Sequence, residues 1–307
     1  MSGEFDFIRE KLAPLATVGE ALGLTDDVAL LHADVGPLIT SMDMMVAGRH
    51  FRHTDPYDTV AQKLLAANVS DIVAKGAKPV AYMLSCAWAQ PVDDAQMDRF
   101  VDGLGLAQAK WGLALLGGDT VTTDGPASFT VTIFGTPFGD GPILRSGAKP
   151  SQQVWVSGTL GDAALGLHYP HIDGALDRAY LTPLPPFDAA EVIAKHGTAS
   201  IDLSDGLLAD GAHIADQSGC KLVLNKAALP LSNAARLLLA NAPEAWPLIW
   251  SGGDDYQTLV CAPPESATHF QQAGFTLIGD VQVGEGVVLL DIDGQEITAG
   301  QDGFTHF

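Results

Sequence analysis

Short apolar runs alternate along the chain with stretches whose apolar positions recur every three or four residues. That alternation predicts a mixed α/β protein. Residues 36–41 read as a strand that ends at Asp43. Between 58 and 75, Val60, Leu64, Ala67 and Ile72 fall at helical spacing, and Gly76 supplies a stop. Residues 80–88 read as a strand, 93–111 as a helix, and 113–116 as a short buried strand running into Gly117-Gly118-Asp119-Thr120. Residues 128–135 alternate in the strand manner. Turn formers crowd residues 136–152 and place a boundary there, between an N-terminal domain of residues 1–140 and a C-terminal domain of residues 141–307. The second half opens on a strand at 154–157, a turn at 158–162 and a helix from Ala163. Residues 168–188 are Pro-rich and read as irregular. A strand at 200–203 leads into Ser204-Asp205-Gly206 and a helix to Ser218, and residues 250–253 lead into Asp254-Asp255 and a strand at 256–261.

Composition narrows the function. The 307 residues are 47% hydrophobic and 17% charged, with a formal charge of −21. Of the 37 acids, 29 are Asp, a residue of loops, caps and oxygen ligation rather than of surface helices. Such a charge opposes nonspecific binding to nucleic acid and to anionic membranes. No apolar run approaches the roughly 18 residues of a membrane span. The start, MSGEFDFIRE, lacks the charged-then-apolar pattern of a signal peptide, and the three scattered cysteines form no CxxC pair. A cytoplasmic protein with neither disulfide frame nor zinc site is the expectation.

One pattern recurs at the ends of apolar runs, where Asp stands beside Gly, Ser or Asn. It occurs at Asp26-Asp27, Asp43, Asn68/Asp71, Gly118-Asp119, Asp202/Ser204/Asp205 and Gly253-Asp254-Asp255. A turn or cap explains any one of these residues. Repetition is better explained by a cation between the carboxylates, which otherwise repel one another. Mg²⁺ shares its shell with substrate phosphates, and carboxylates at strand ends converge where α/β proteins bind ligands. Asn68 and Asp71 are three apart on one helical face. Asp205 reads equally as a cap for the helix that follows. Asp202 sits inside an apolar strand and is harder to explain as a cap. The glycines before Asp119 permit close approach to a ligand or make a plain turn. Gly158-Thr159-Leu160-Gly161 before a helix offers N–H groups to a phosphate or is a strand-to-helix turn. His50 and Arg145 stand out, the latter one of seven arginines and in a loop with Ser and Gly. No GxxxxGK[ST] loop, kinase motif set, GxSxG elbow or HExxH helix is present.

Taken together, the segments TDDVALL, MVAGRHF, NVSDIVAKGAKP, LLGGDT, LRSGAKP, VSGTLGDAALGL, IDLSDGLLAD, HIADQSG, SGGDDY and the terminal GFTHF resemble the thiamine-monophosphate kinase family. That family lies within the aminoimidazole ribonucleotide synthetase-like superfamily. The resemblance implies two α/β domains. The N-terminal one binds ATP and Mg²⁺ and forms a homodimer through its sheet, and the C-terminal one closes over the cleft. It implies transfer of the γ-phosphoryl of ATP to the phosphate of thiamine monophosphate, with several Mg²⁺ ions, and leaves a monovalent cation open as a further cofactor. By motif, Asp27, Ser41, Asp43, Asp71, Asp119, Asp202 and Asp205 match Mg²⁺ ligands, with Asp71, Asp119 and Asp202 at the chemistry. Gly118, Asp119, Arg145 and Ser204 match ATP contacts, and His50 and Asp254 substrate contacts. The chain departs from the family at Thr25 (usually Gly), Met42 (usually Thr), Gln257 (usually Glu) and Gln301 (usually aromatic). A thioether is a poor Mg²⁺ ligand, so Met42 points to a weaker metal site or a backbone ligand. These departures keep two alternatives open, a related ATP-dependent synthetase with another acceptor and a protein that binds nucleotide or thiamine phosphate without catalysis.

Overall fold

The computed structural model describes residues 8–24 and 36–297. These fall into two compact units, one of residues up to 72 together with 78–137, the other of residues 73–77 together with 138 onward. Asp27 and the terminal GFTHF lie outside the described residues, as do Thr25 and Gln301.

In the first unit, short helical turns at Ile8–Leu12, Ala13–Leu15 and Gly19–Leu24 precede β1 (Ile39–Val46), α1 (Tyr57–Ala74), β2 (Ala77–Ala89), α2 (Asp94–Trp111), β3 (Ala114–Thr123) and β4 (Ser128–Pro137). The four strands make one sheet in the order β1-β4-β2-β3, with β1 antiparallel to β4 and β2 parallel to β3. Every residue of α1 from Lys63 to Ser70 is buried, so it is a core helix rather than an amphipathic surface one. Asp93 caps α2 by accepting the Ala95 N–H at 2.9 Å, and Gly112 ends it at φ 65°. Phe51, Tyr57, Trp88, Phe100 and Phe129 pack ring on ring, with Phe100 and Phe129 stacked at 4.3 Å between centroids.

Two strands run further than the apolar runs suggest. β1 does not end at Asp43 but continues to Val46, pairing Asp43 with Val131 and Met45 with Phe129. β3 does not stop at Leu116. It carries Gly117-Gly118-Asp119-Thr120 as strand, with a register irregularity opposite Tyr82 and Met83. Pairing with a neighbour supplied the hydrogen bonds that local composition argued against.

In the second unit, β5 (Gln153–Ser157), α3 (Asp162–His168), α4 (Gly174–Leu181), α5 (Ala190–His196), β6 (Ala199–Asp202), α6 (Leu207–Ser218), β7 (Lys221–Asn225), α7 (Asn233–Asn241), α8 (Pro247–Ser251), β8 (Thr258–Ala262), α9 (Ala267–Gln272), β9 (Phe275–Gln282) and β10 (Gly286–Leu290) follow in turn. The sheet order is β10-β7-β9-β5-β8-β6. Only the β10–β7 pair is parallel. Strand alternation splits the apolar residues between two cores. Val154, Val156, Leu259 and Cys261 join one, and Trp155, Val260 and Ala262 join the other with Phe270. Residues 168–188 are not all irregular. Asp173 accepts the Ala175 N–H at 2.7 Å, and Leu176 and Tyr180 bury one face of α4. The strand expected from residue 256 starts only at Thr258, because Tyr256 sits at φ 49°. Within the second unit, Ser200 on β6 donates its hydroxyl to the Ala74 carbonyl, and Lys75 Nζ donates to the Ser200 carbonyl.

A Cβ on Gly103 of α2 would lie 2.1 Å from the Asp58 carbonyl oxygen at the start of α1. Gly103→Ala must push the two helices apart, and urea unfolding should show a loss of about 1–3 kcal/mol.

Candidate active site

The first unit sets oxygen donors from a strand against donors from a helix. Ser41 on β1 donates its hydroxyl to Asp71 Oδ2 on α1 at 2.5 Å. The Asp43 N–H donates to Asn68 Oδ1 at 3.1 Å, and Asn68 Nδ2 donates to the Leu64 carbonyl at 2.9 Å. Residues 41 and 43 share one face of β1 because side chains alternate, and 68 and 71 share one face of α1. The sequence therefore brings Ser41, Asp43, Asn68 and Asp71 together through two different periodicities. Met42 stands between Ser41 and Asp43 but is 65% exposed on the other side of the strand. Its thioether does not replace a donor on the Ser41–Asp71 face.

His50 lies in the turn after β1. Its Nδ1 accepts the Val46 N–H at 3.0 Å, which places the proton of a neutral ring on Nε2. The His50 carbonyl accepts from Lys63 Nζ at 3.2 Å, so the buried lysine of α1 holds this turn. Asp119 is elsewhere in the sheet. It lies on β3, the edge opposite β1, in register with Ser85, exposed, with Oδ1 accepting the Thr120 N–H at 2.9 Å. Gly118 precedes it in close register with Leu84, where a Cβ would lie 1.7 Å from the Leu84 carbonyl oxygen. The requirement for glycine there comes from strand packing.

The second unit gathers a further group of acids where the SDG and GGDDY segments meet. Asp254 N–H donates to the Ser204 carbonyl at 2.9 Å, Tyr256 N–H to the Leu203 carbonyl at 2.7 Å, and Leu203 N–H to the Gln257 carbonyl at 2.8 Å. A Cβ on Gly253 would lie 2.3 Å from the Ser204 carbonyl oxygen, which explains the glycine. Asp254 at φ 69° and Tyr256 at φ 49° both occupy the left-handed region without being glycine. Strain of that kind concentrates at functional sites. The Tyr256 hydroxyl donates to Asp254 Oδ1 at 2.9 Å and orients that carboxylate.

Two buried acids, Asp210 and Asp255, carry the frame of this site. Asp210 Oδ2 on α6 accepts the N–H groups of Asp205 at 3.0 Å and Gly206 at 3.1 Å. Asp255 accepts the Gly161 N–H with both oxygens, at 3.0 and 2.9 Å. The N-cap residue of α6 is Gly206, which offers no side-chain cap, and the loop before it is held by Asp210 from the first turn. Nor does the Gly161 N–H stand open to a phosphate, since a carboxylate already accepts it. Burial raises Asp210 well above the ordinary carboxylate range, aided by Asp202 and then Asp205, against the lowering effect of the two backbone N–H bonds. Burial also raises Asp255 well above that range, and Gly161 opposes the shift. Asp202, buried at the end of β6, and the half-buried Ser204 and Asp205 complete the group. Arg145 is exposed in the loop before β5, where its carbonyl accepts from the Ser218 hydroxyl at 3.0 Å. The apolar run Leu207-Leu208-Ala209-Asp210-Gly211 held the one sequence signal for Asp210, an acid on a buried helical face.

The fold and these strand-borne carboxylates define a class. Residues 25–137 match the family model described as "AIR synthase related protein, N-terminal domain". A thiamine-monophosphate kinase of Caulobacter vibrioides is 40% identical over 321 residues, covering 99% of this chain and 90% of the relative. A solved thiamine-monophosphate kinase from Stenotrophomonas maltophilia K279a superposes with a TM-score of 0.83 at 31% identity, covering 96% of this chain and 98% of its own. A solved structure described as "AaThiL complexed with AMPPCP and TMP" superposes at 0.82 with 29% identity, covering 99% of this chain and 97% of its own. The chain belongs to the thiamine-monophosphate kinase family and is an enzyme of the kinase class. Among the described residues, no helix is long and apolar enough to cross a membrane.

An acid whose folded pKa lies above its unfolded value, about 3.9 for Asp, binds its proton more tightly when folded. Stability then falls as pH rises between the two values. Without divalent cations, urea unfolding should show the parent gaining stability as pH drops from 7 toward 5. Asp210→Asn keeps an oxygen for the Asp205 and Gly206 N–H groups. It should be at least as stable as the parent at pH 7 and show a smaller gain on acidification. A variant clearly less stable at pH 7 would mean that the ionised carboxylate is the stabilising form.

Proposed function

We propose that this protein transfers the γ-phosphoryl group of ATP directly to the phosphate of thiamine monophosphate, giving thiamine diphosphate and ADP. The observation that carries the reading is the Ser41–Asp71 bond, a hydroxyl and a carboxylate brought together on the face of β1 that also carries Asp43, in a chain of this family. An acceptor phosphate oxygen attacks the γ-phosphorus in line as the bond to the β–γ bridging oxygen breaks. The electron pair leaves with ADP. The acceptor oxygen is already anionic, so no side chain has to remove a proton, and catalysis is positioning and charge neutralisation.

The donor set suits Mg²⁺. It consists of carboxylate and hydroxyl oxygens, the hard donors that ion takes. An ion that keeps phosphate oxygens and waters in its shell fits that arrangement better than one fully wrapped by protein. In this reading Asp27, Ser41, Asp43, Asp71, Asp119, Asp202 and Asp205 hold the several Mg²⁺ ions. Bound there, the ions neutralise the phosphates and align donor with acceptor. Gly118, Asp119, Arg145 and Ser204 contact ATP, and His50 and Asp254 contact the acceptor. The Tyr256 hydroxyl orients the Asp254 carboxylate assigned to it.

The reading includes a homodimer in the cytoplasm. Met42 and Met44 stand 65% and 51% exposed on one face of β1, and Met83 and Val121 are exposed on β2 and β3. Exposed apolar residues on a sheet face mark a surface for association. Asp119 shares the alternation of Val121 on β3, so an associated sheet would shelter it.

Incubation with ATP, Mg²⁺ and thiamine monophosphate should yield thiamine diphosphate by mass, and free thiamine should yield no diphosphate. Asp71→Asn should lower turnover at least a hundredfold, on the order of losing one preorganised charge at a phosphoryl site, with an unchanged melting temperature. Parent-level turnover in that variant would remove Asp71 from the site. Met44→Glu should shift the sedimentation of the protein from dimer to monomer.

A further inference from the structure

Both ends of the Gln257 amide are engaged. Its Oε1 accepts from the Ser157 hydroxyl at 2.8 Å, and that oxygen in turn accepts the Thr258 N–H at 2.9 Å. Its Nε2 donates to the Leu184 carbonyl at 3.0 Å, with the Asp255 carbonyl at 3.5 Å. The bonds run one way, from backbone N–H to hydroxyl to amide to carbonyl. Only an amide at 257 supplies the acceptor and the donor this requires. A carboxylate of the same shape would accept from Ser157 and set an oxygen against the Leu184 carbonyl. The fit leaves no slack, because a Cβ on Gly158 would lie 2.4 Å from Gln257 Oε1.

The gripped segment is Thr182-Pro183-Leu184-Pro185-Pro186. Proline fixes φ and removes the N–H, so this segment is stiff yet has few donors with which to anchor itself. Pro183 and Pro185 are buried, and Leu184 between them is 58% exposed. An exposed leucine by itself means little. This one is clamped by a proline on each side and by a side-chain amide on its own carbonyl. Its carbonyl shares the Gln257 amide with the carbonyl of Asp255, the residue after Asp254.

We propose that Leu184 is an apolar specificity contact for the heteroaromatic end of the phosphate acceptor, and that Gln257 is the positioning residue that holds it there. The proposal rests on the reading of Asp254 as an acceptor contact in a thiamine-monophosphate kinase. Carboxylates and cations manage the phosphates, but the rings of the acceptor need a fixed apolar surface. A stiff, immobilised leucine provides one without an ordering cost on binding.

The test compares steady-state kinetics of the full-length parent, Leu184→Ala, Leu184→Met and Gln257→Glu, with amide hydrogen exchange across residues 182–188. Leu184→Ala and Gln257→Glu should raise KM for thiamine monophosphate about tenfold, the range for lost methylenes in a substrate pocket. KM for ATP and kcat should hold. Leu184→Met, which conserves volume, should keep the parent KM. Gln257→Glu should speed exchange at the Leu184 and Phe187 amides. Parent values of acceptor KM in both Leu184→Ala and Gln257→Glu, or an equal rise in KM for ATP, would overturn the assignment while leaving the kinase reading intact. A parent that makes no thiamine diphosphate would overturn the functional reading and this assignment with it.

Discussion

A carboxylate withdrawn from water is costly unless donors meet its oxygens. In the second unit the donors are backbone N–H groups of the loops that carry the candidate site. Asp255 takes the Gly161 N–H, and Asp210 takes those of Asp205 and Gly206. Each bond reduces the burial cost of an acid and fixes a loop. With those loops fixed, Ser204 and Asp254 meet through a backbone bond, and the strained φ values of Asp254 and Tyr256 become tolerable because the surroundings over-determine them. The acids outside this frame, Asp202, Asp205 and Asp254, are those assigned to metal and acceptor. Two sets of carboxylates thus share one small region, one whose oxygens accept loop N–H groups and shape the backbone, and one proposed for the chemistry.

The first unit separates its roles by the period of a strand. On β1, Ser41 and Asp43 point to α1 and its Asn68 and Asp71, while Met42 and Met44 point away and remain exposed. A one-residue slip of register would exchange the two sets. The antiparallel pairing of β1 with β4 over eight residues, from Ile39 opposite Gly135 to Val46 opposite Ser128, holds the register against such a slip. The structure thereby accounts for Met42 in a motif that usually carries threonine. The side chain at 42 lies on the exposed face of β1 and is not part of the Ser41–Asp71 pair.

The mixed α/β class was legible from the alternation of runs, and so was the shared helical face of Asn68 and Asp71, because helical spacing is a local property. Strand ends were less legible. Gly117-Gly118-Asp119-Thr120 reads as a turn by composition and is strand in the structure, since partners on β2 satisfy its backbone. Asp205 reads equally as a cap or a ligand, and the structure shows its loop held by Asp210, which accepts the Asp205 and Gly206 N–H groups. What Asp255 and Gln257 do gave little signal because it depends on partners 94 and 73 to 100 residues away, and what Asp210 does because it depends on the burial of its helical face.

By itself, then, the amino-acid order determined the properties that need only neighbours in the chain. These are the elements, the acidic surplus, the recurrence of Asp at the ends of apolar runs and the family those motifs share. Tertiary structure alone decided which acids are buried, which face of β1 carries oxygen and which carries methionine, and which carbonyl the Gln257 amide grips. Burial and hydrogen bonding across long sequence separations are set by packing, and packing is a property of the assembled chain.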